Sequence, residues 1–240
     1  MARQASIVCY YDVVSPYSYF AVTLLNRYRS QWKTVDIVLR PAFLAGIMSV
    51  AYNLEDTFST RHGAPGGAKN QPPASVAAKL PYMVADLQRI STCAAIPYTF
   101  PSVFPIVSIS AMRLLVAIQN HESDDLYVQC VEKLYEAYWS KNQNIAQKED
   151  LIAAVAPVLG SEAKAEQYYQ MTSDKDVKQK LIDNTNEAIE AGAFGAPTFI
   201  VKTAGSDEAH MFFGSDRFET MATILNVPYP GLAPKNASKL

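Results

Sequence analysis

A β-branched and aromatic run that ends at a serine followed by a proline is the feature that most limits the folds open to this chain. Ile7-Val8-Cys9-Tyr10 reads as a buried first strand. Phe20 to Tyr28 has the length and apolar spacing of a helix. Pro16 suits the first turn of that helix, where its missing N–H is no loss. Ser15 therefore stands at the switch from strand to helix, at or next to the N-cap. Free N–H groups and the helix dipole favour negative charge there, and a hydroxyl held at that point can donate to an anion such as a thiolate. Serine also caps helices to which nothing binds, so this junction needs support from the rest of the chain.

The following residues supply a pattern. Val35 to Arg40 alternates like a second strand and stops at Pro41, so strand, helix and strand form a βαβ unit with parallel strands. Leu44 to Met48 has room for one helical turn. Ser49 to Pro73 is rich in glycine, proline and charge and reads as a long loop. Near its end the two prolines of Asn70-Gln71-Pro72-Pro73 stiffen the backbone and can hold the Asn70 amide in one direction. Helical spacing then recurs in Lys79–Thr92, Ser108–Gln119, Asp125–Trp139, Asp150–Leu159, Ala163–Met171 and Lys175–Ala191. The aromatics of the third of these, Tyr135, Tyr138 and Trp139 among them, read as bundle core.

Strands return at the end. Thr198 to Val201 and Glu208 to Phe213 flank a hairpin turn at Gly205-Ser206-Asp207, and a last helix covers Arg217 to Asn226, with Ser215 or Asp216 as its cap. Pro197 opens the third strand. A cis Ala196-Pro197 bond costs little and would turn the backbone of Ala196 outward, free to pair with an extended peptide. The fold class is α/β. A βαβ…ββα domain made of residues 1–44 and 192–240 carries an inserted all-helical domain, residues 45–191.

Composition excludes several functions. The 240 residues carry a formal charge of −2, with 49% hydrophobic and 18% charged residues. No basic stripe suited to nucleic acid is visible, and no apolar run is long enough to span a bilayer. Met1-Ala2-Arg3-Gln4 leads straight into the first strand and leaves no room for a signal peptide. Cys9, Cys93 and Cys130 are distant and odd in number, which points to a reducing compartment. The three histidines are scattered, so no metal site is expected. The chain ends in Ser238-Lys239-Leu240, a tripeptide read by the peroxisomal import receptor. A peroxisomal location is expected, with the cytoplasm and mitochondria as other sites.

The order of elements, with a proline before the third strand, resembles the thioredoxin fold of the DsbA-like disulfide oxidoreductases. Their C-x-x-C is replaced here by Ser15-Pro16-Tyr17-Ser18, which removes thiol–disulfide exchange at this position. Further segments stand in the order of the kappa-class glutathione transferases. They are Tyr11 to Ser18, Leu39-Arg40-Pro41, Gly46-Ile47-Met48, Asn70 to Pro73, Ser110-Ala111-Met112-Arg113, Gly192 to Pro197 and Phe213 to Arg217. That resemblance covers nearly the whole chain. It implies a homodimer that binds glutathione as co-substrate and turns its thiolate on a small electrophile, with peroxide reduction as a second reaction. Ser15 would stabilise the thiolate, with Pro16 and Tyr17 in the same pocket. Asn70, Lys79, Ala196, Pro197, Ser215 and Asp216 would hold the rest of the tripeptide. The 2-hydroxychromene-2-carboxylate isomerases share the motif and are the nearest alternative; a glutathione-binding protein without turnover is another. Residues 49–69 make a longer segment than the family pattern implies.

Overall fold

The computed structural model of the protein describes residues 4–50 and 72–233. Four strands form its sheet: β1 (Ala5–Tyr11), β2 (Val35–Pro41), β3 (Thr198–Lys202) and β4 (Ala209–Phe213). Their order is β2-β1-β3-β4. β1 runs parallel to β2, with Ile7 opposite Ile37, and antiparallel to β3, with Cys9 opposite Phe199. β4 closes the edge antiparallel to β3. A parallel pair needs a crossover, and α1 (Pro16–Arg29) supplies it.

Side-chain alternation then decides what covers each face. Ile7, Cys9, Tyr11, Phe199 and Val201 join Phe20, Leu24 and Leu25 of α1 in the main core. Phe218, at the start of the last helix, stands edge-on to both Phe199 and Tyr28. Tyr10 points the other way and packs with Ala42, Ile47, Ala188 and Ala193.

Between β2 and β3 the described residues are helical and irregular. α2 covers 44–50, followed by α3 (Leu80–Ala94), α4 (Ile109–His121), α5 (Asp124–Trp139), α6 (Lys148–Leu159), α7 (Glu162–Met171) and α8 (Lys175–Glu190). Their core is continuous with that of the sheet: the Tyr127 hydroxyl of α5 meets the Tyr11 hydroxyl of β1 at 2.7 Å. None of the described helices is long and apolar enough to cross a membrane.

The last helix corrects one expectation. α9 spans Phe218–Leu225, Arg217 holds the cap position, and no side chain caps it. Ser215 and Asp216 lie instead in the turn that Gly214 opens with φ +97°. A Cβ at Gly214 would sit 2.9 Å from Asp216 Oδ1, so the turn requires glycine on both counts. Asn70, most of the 49–73 loop and the terminal Ser238-Lys239-Leu240 lie outside the described residues.

Candidate functional site

Ser15 is the N-cap of α1, with extended backbone at φ −86° and ψ 117°. Its Oγ accepts from Ser18 N at 3.2 Å and donates to the carbonyl of Ala196 at 2.8 Å. A hydroxyl has one proton to give, and here Ala196 takes it. To donate to a sulfur the Ser15 hydroxyl must turn away from that carbonyl. The Ala196-Pro197 bond is cis, as expected. The backbone of Ala196 is not wholly free for an extended ligand, however, because its carbonyl is engaged by Ser15 and the residue is buried.

A buried acid holds the turn that presents Ser15. Asp12 ends the strand run with none of its surface exposed. Its carboxylate accepts from Val14 N at 3.0 Å, from Leu44 N at 2.9 Å and from Ser108 Oγ at 3.0 Å. Its carbonyl accepts from Ser15 N at 3.1 Å and from the Tyr135 hydroxyl at 3.3 Å. Trp139 Nε1 donates to the next carbonyl, Val13 O, at 2.9 Å. Burial pushes the Asp12 carboxyl up to about 6, against the pull of its three donors. Residues 12–15 are thus gripped from α2, α5 and the entrance to α4 at once.

The other anticipated residues are placed as follows. Pro16 is buried at the first position of α1. Tyr17 is part-buried; desolvation first, then the charges of Asp86, Tyr82 and Asp216, push its phenol up to about 12. Asp216 therefore lies within electrostatic reach of Tyr17. Gly214 N donates to Pro197 O at 3.1 Å, which seats the turn carrying Ser215 and Asp216 beside the cis proline. Ser215 is buried, whereas Asp216 is exposed and paired with Arg217 at 2.9 Å. Ser15, Tyr17, Ala196, Pro197, Ser215 and Asp216 thus form one neighbourhood. Lys79 is exposed at the start of α3 and makes no side-chain hydrogen bond to any of them.

Gly195 matters here for space. A Cβ there would lie 2.8 Å from the Phe213 ring, which packs against Phe194 with ring centres 4.5 Å apart. Gly195→Ala should push that half-exposed ring outward and shift the Ala196 carbonyl that Ser15 holds. The expected cost is about 1 kcal/mol, a fall in melting temperature of roughly 2–4 °C. An unchanged thermal midpoint would show that the ring yields freely.

Reading by periodicity missed Asp12, Ser108, Tyr135 and Trp139 as supports of the site. The available signal was a single carboxylate embedded in the apolar run from Ile7 to Val14. Among the cysteines, burial pushes the Cys9 thiol well up and that of Cys130 up to about 12, so neither offers a thiolate. Among the described residues no three His, Cys, Asp or Glu side chains gather as a metal site would require.

Known proteins share this plan. Residues 6–226 match the DSBA-like thioredoxin domain. Human glutathione S-transferase kappa 1 is 31% identical over 95% of this chain and 94% of its own length. The glutathione S-transferase kappa 1 of Caenorhabditis elegans is 30% identical over 96% and 95%. Among solved structures, a 2-hydroxychromene-2-carboxylate isomerase superposes with a TM-score of 0.70 at 22% identity, over 92% of this chain and 94% of that one. Its likeness extends to the fold. With a family match over residues 6–226 and relatives of this identity along nearly its full length, the chain belongs to the DSBA-like thioredoxin family and, within it, to the kappa-class glutathione S-transferases.

Proposed function

We propose that the protein binds glutathione in the neighbourhood of Ser15, Tyr17, Ala196 and Asp216 and transfers it to small electrophiles. The observation that carries the reading is the Ser15 hydroxyl, fixed at the N-terminus of α1 against the cis proline. A free thiol has a pKa of about 8.5 and is mostly protonated at neutral pH; a helix N-terminus and a hydroxyl donor both favour its ionised form. The thiol proton leaves to solvent. The thiolate attacks an electrophilic carbon such as that of an aryl halide, a C–S bond forms, and halide departs with the bonding pair. Ser15 holds the sulfur's charge during attack. Tyr17 and Pro16 keep the sulfur side dry, while the amide of Ala196 suits the cysteinyl backbone. Ser215 and Asp216 suit the γ-glutamyl end, whose amino group needs a negative partner. Asn70 and Lys79 are proposed for the remaining polar groups of the tripeptide.

We further propose that residues 45–191 form a helical domain inserted into a sheet domain of 1–44 and 192–240. The protein would work as a homodimer, imported into peroxisomes through Ser238-Lys239-Leu240. Calorimetry with glutathione, followed by an aryl-halide assay, tests the central reading. Binding together with stoichiometric consumption of glutathione is the expected result. Binding with glutathione returned unchanged would make the protein an isomerase. Absence of binding at millimolar glutathione would end both readings.

A further inference from the structure

A second groove opens between α2, α4 and α8, with a volume of about 270 Å³. Phe43, Ile109, Leu181 and Ile182 give it apolar walls, and Arg113 and Lys178 give it positive charge. Among the described residues, no aspartate or glutamate lines it. Among the described residues, neither cation is ion-paired, and Arg113 Nε is buried without a hydrogen-bond partner. By contrast Arg40 of β2 is paired with Glu187 farther along α8. A guanidinium left without an acceptor beside apolar walls is suited to an anion that brings its own apolar body. None of the described residues assigned to glutathione lines this groove.

From the groove's charge and walls we propose that it is a binding site for a small amphipathic carboxylate. The carboxylate lies between Arg113 and Lys178, and its hydrocarbon chain lies along Phe43, Leu181 and Ile182. The site is distinct from that of Ser15 and its occupation does not depend on glutathione. It is nonetheless linked to the catalytic turn through the backbone. Phe43 precedes Leu44 and Ile109 follows Ser108, and both Leu44 and Ser108 are hydrogen-bonded to Asp12.

The test is calorimetric titration of the full chain with octanoate, with and without saturating glutathione. Octanoate should bind with a submillimolar constant that glutathione leaves unchanged. Arg113→Met and Lys178→Met should each weaken binding about tenfold, Arg113→Lys should retain most of it, and octanol should bind at least about tenfold more weakly than octanoate. If Arg113→Met fails to fold, Lys178→Met and octanol decide the matter. Three results would overturn the proposal. One is no octanoate binding at several millimolar, which would mean that the chain itself or a second copy covers the groove. The others are equal binding of octanol and displacement of octanoate by glutathione.

Discussion

Replacing Ser15 by alanine should lower glutathione turnover at neutral pH by about 10- to 100-fold. A hydrogen bond to a charged acceptor is worth about 1.5–3 kcal/mol, and about 1.4 kcal/mol is tenfold in an equilibrium. The loss should fall on ionisation of the bound sulfur, because the variant keeps the backbone that holds the tripeptide. Ultraviolet absorbance of the bound thiolate should therefore disappear at neutral pH and return only at higher pH, with glutathione affinity altered much less. The variant also loses the cap bond to Ser18 N and the bond to Ala196 O, which should cost about 1–2 kcal/mol of stability. Thiolate absorbance that survives in Ser15→Ala would transfer the role to the helix N-terminus alone.

The second large effect concerns Asp12 and is read as stability against pH. Its carboxyl has an ordinary value of 3.8 and is raised to about 6 in the folded protein. The native state then holds a proton over a range where the unfolded chain has released it. Asp12 contributes most to stability below its unfolded value. That contribution is lost as pH rises through about 6. From about pH 4 to about pH 7 the loss amounts to roughly 2 kcal/mol. Asp12→Asn removes this titration and leaves one of the three donors facing an amide, at a pH-independent cost of about 1–2 kcal/mol. The wild type should thus lose about 2 kcal/mol relative to the variant between those pH values, a relative shift of roughly 4–8 °C in melting temperature. Glu122, Glu136 and Glu166, whose carboxyls are lowered by nearby lysines, act in the opposite sense in both proteins and cancel in the comparison. Melting curves that stay parallel across the range would show that Asp12 carries no such burden.

The contrast between these two residues explains what could be read before folding. Ser15 was legible because its neighbours in sequence define it: a β-branched run before, a proline after, and helical spacing beyond. The strands and most helices were legible for the same reason, with boundaries displaced by a residue or two. Asp12 was not legible, because its partners Leu44 and Ser108 lie 32 and 96 positions away and nothing local marks either as its donor. Trp139 shows a subtler loss. Its helical spacing correctly placed it in the bundle core, yet spacing says nothing of the indole N–H that reaches Val13 O. Ser215 and Asp216 were misread as caps because Ser-Asp before a helix is a strong local signal, and the glycine turn ahead of them displaced the helix start to Phe218.

The grip on residues 12–15 also bears on how far this chemistry can be transplanted. A minimal thioredoxin scaffold given the segment Asp12 to Tyr19 would inherit the alcohol and the proline. It would lack Ser108, Tyr135 and Trp139, the outlying anchors that keep the loop in one shape. In such a chimera the carboxylate would be the first thing to go wrong, a buried charge stripped of part of its solvation. A working graft has to carry the end of α5 and the entrance to α4 along with the motif, so the smallest portable unit is a piece of tertiary structure and not a stretch of sequence.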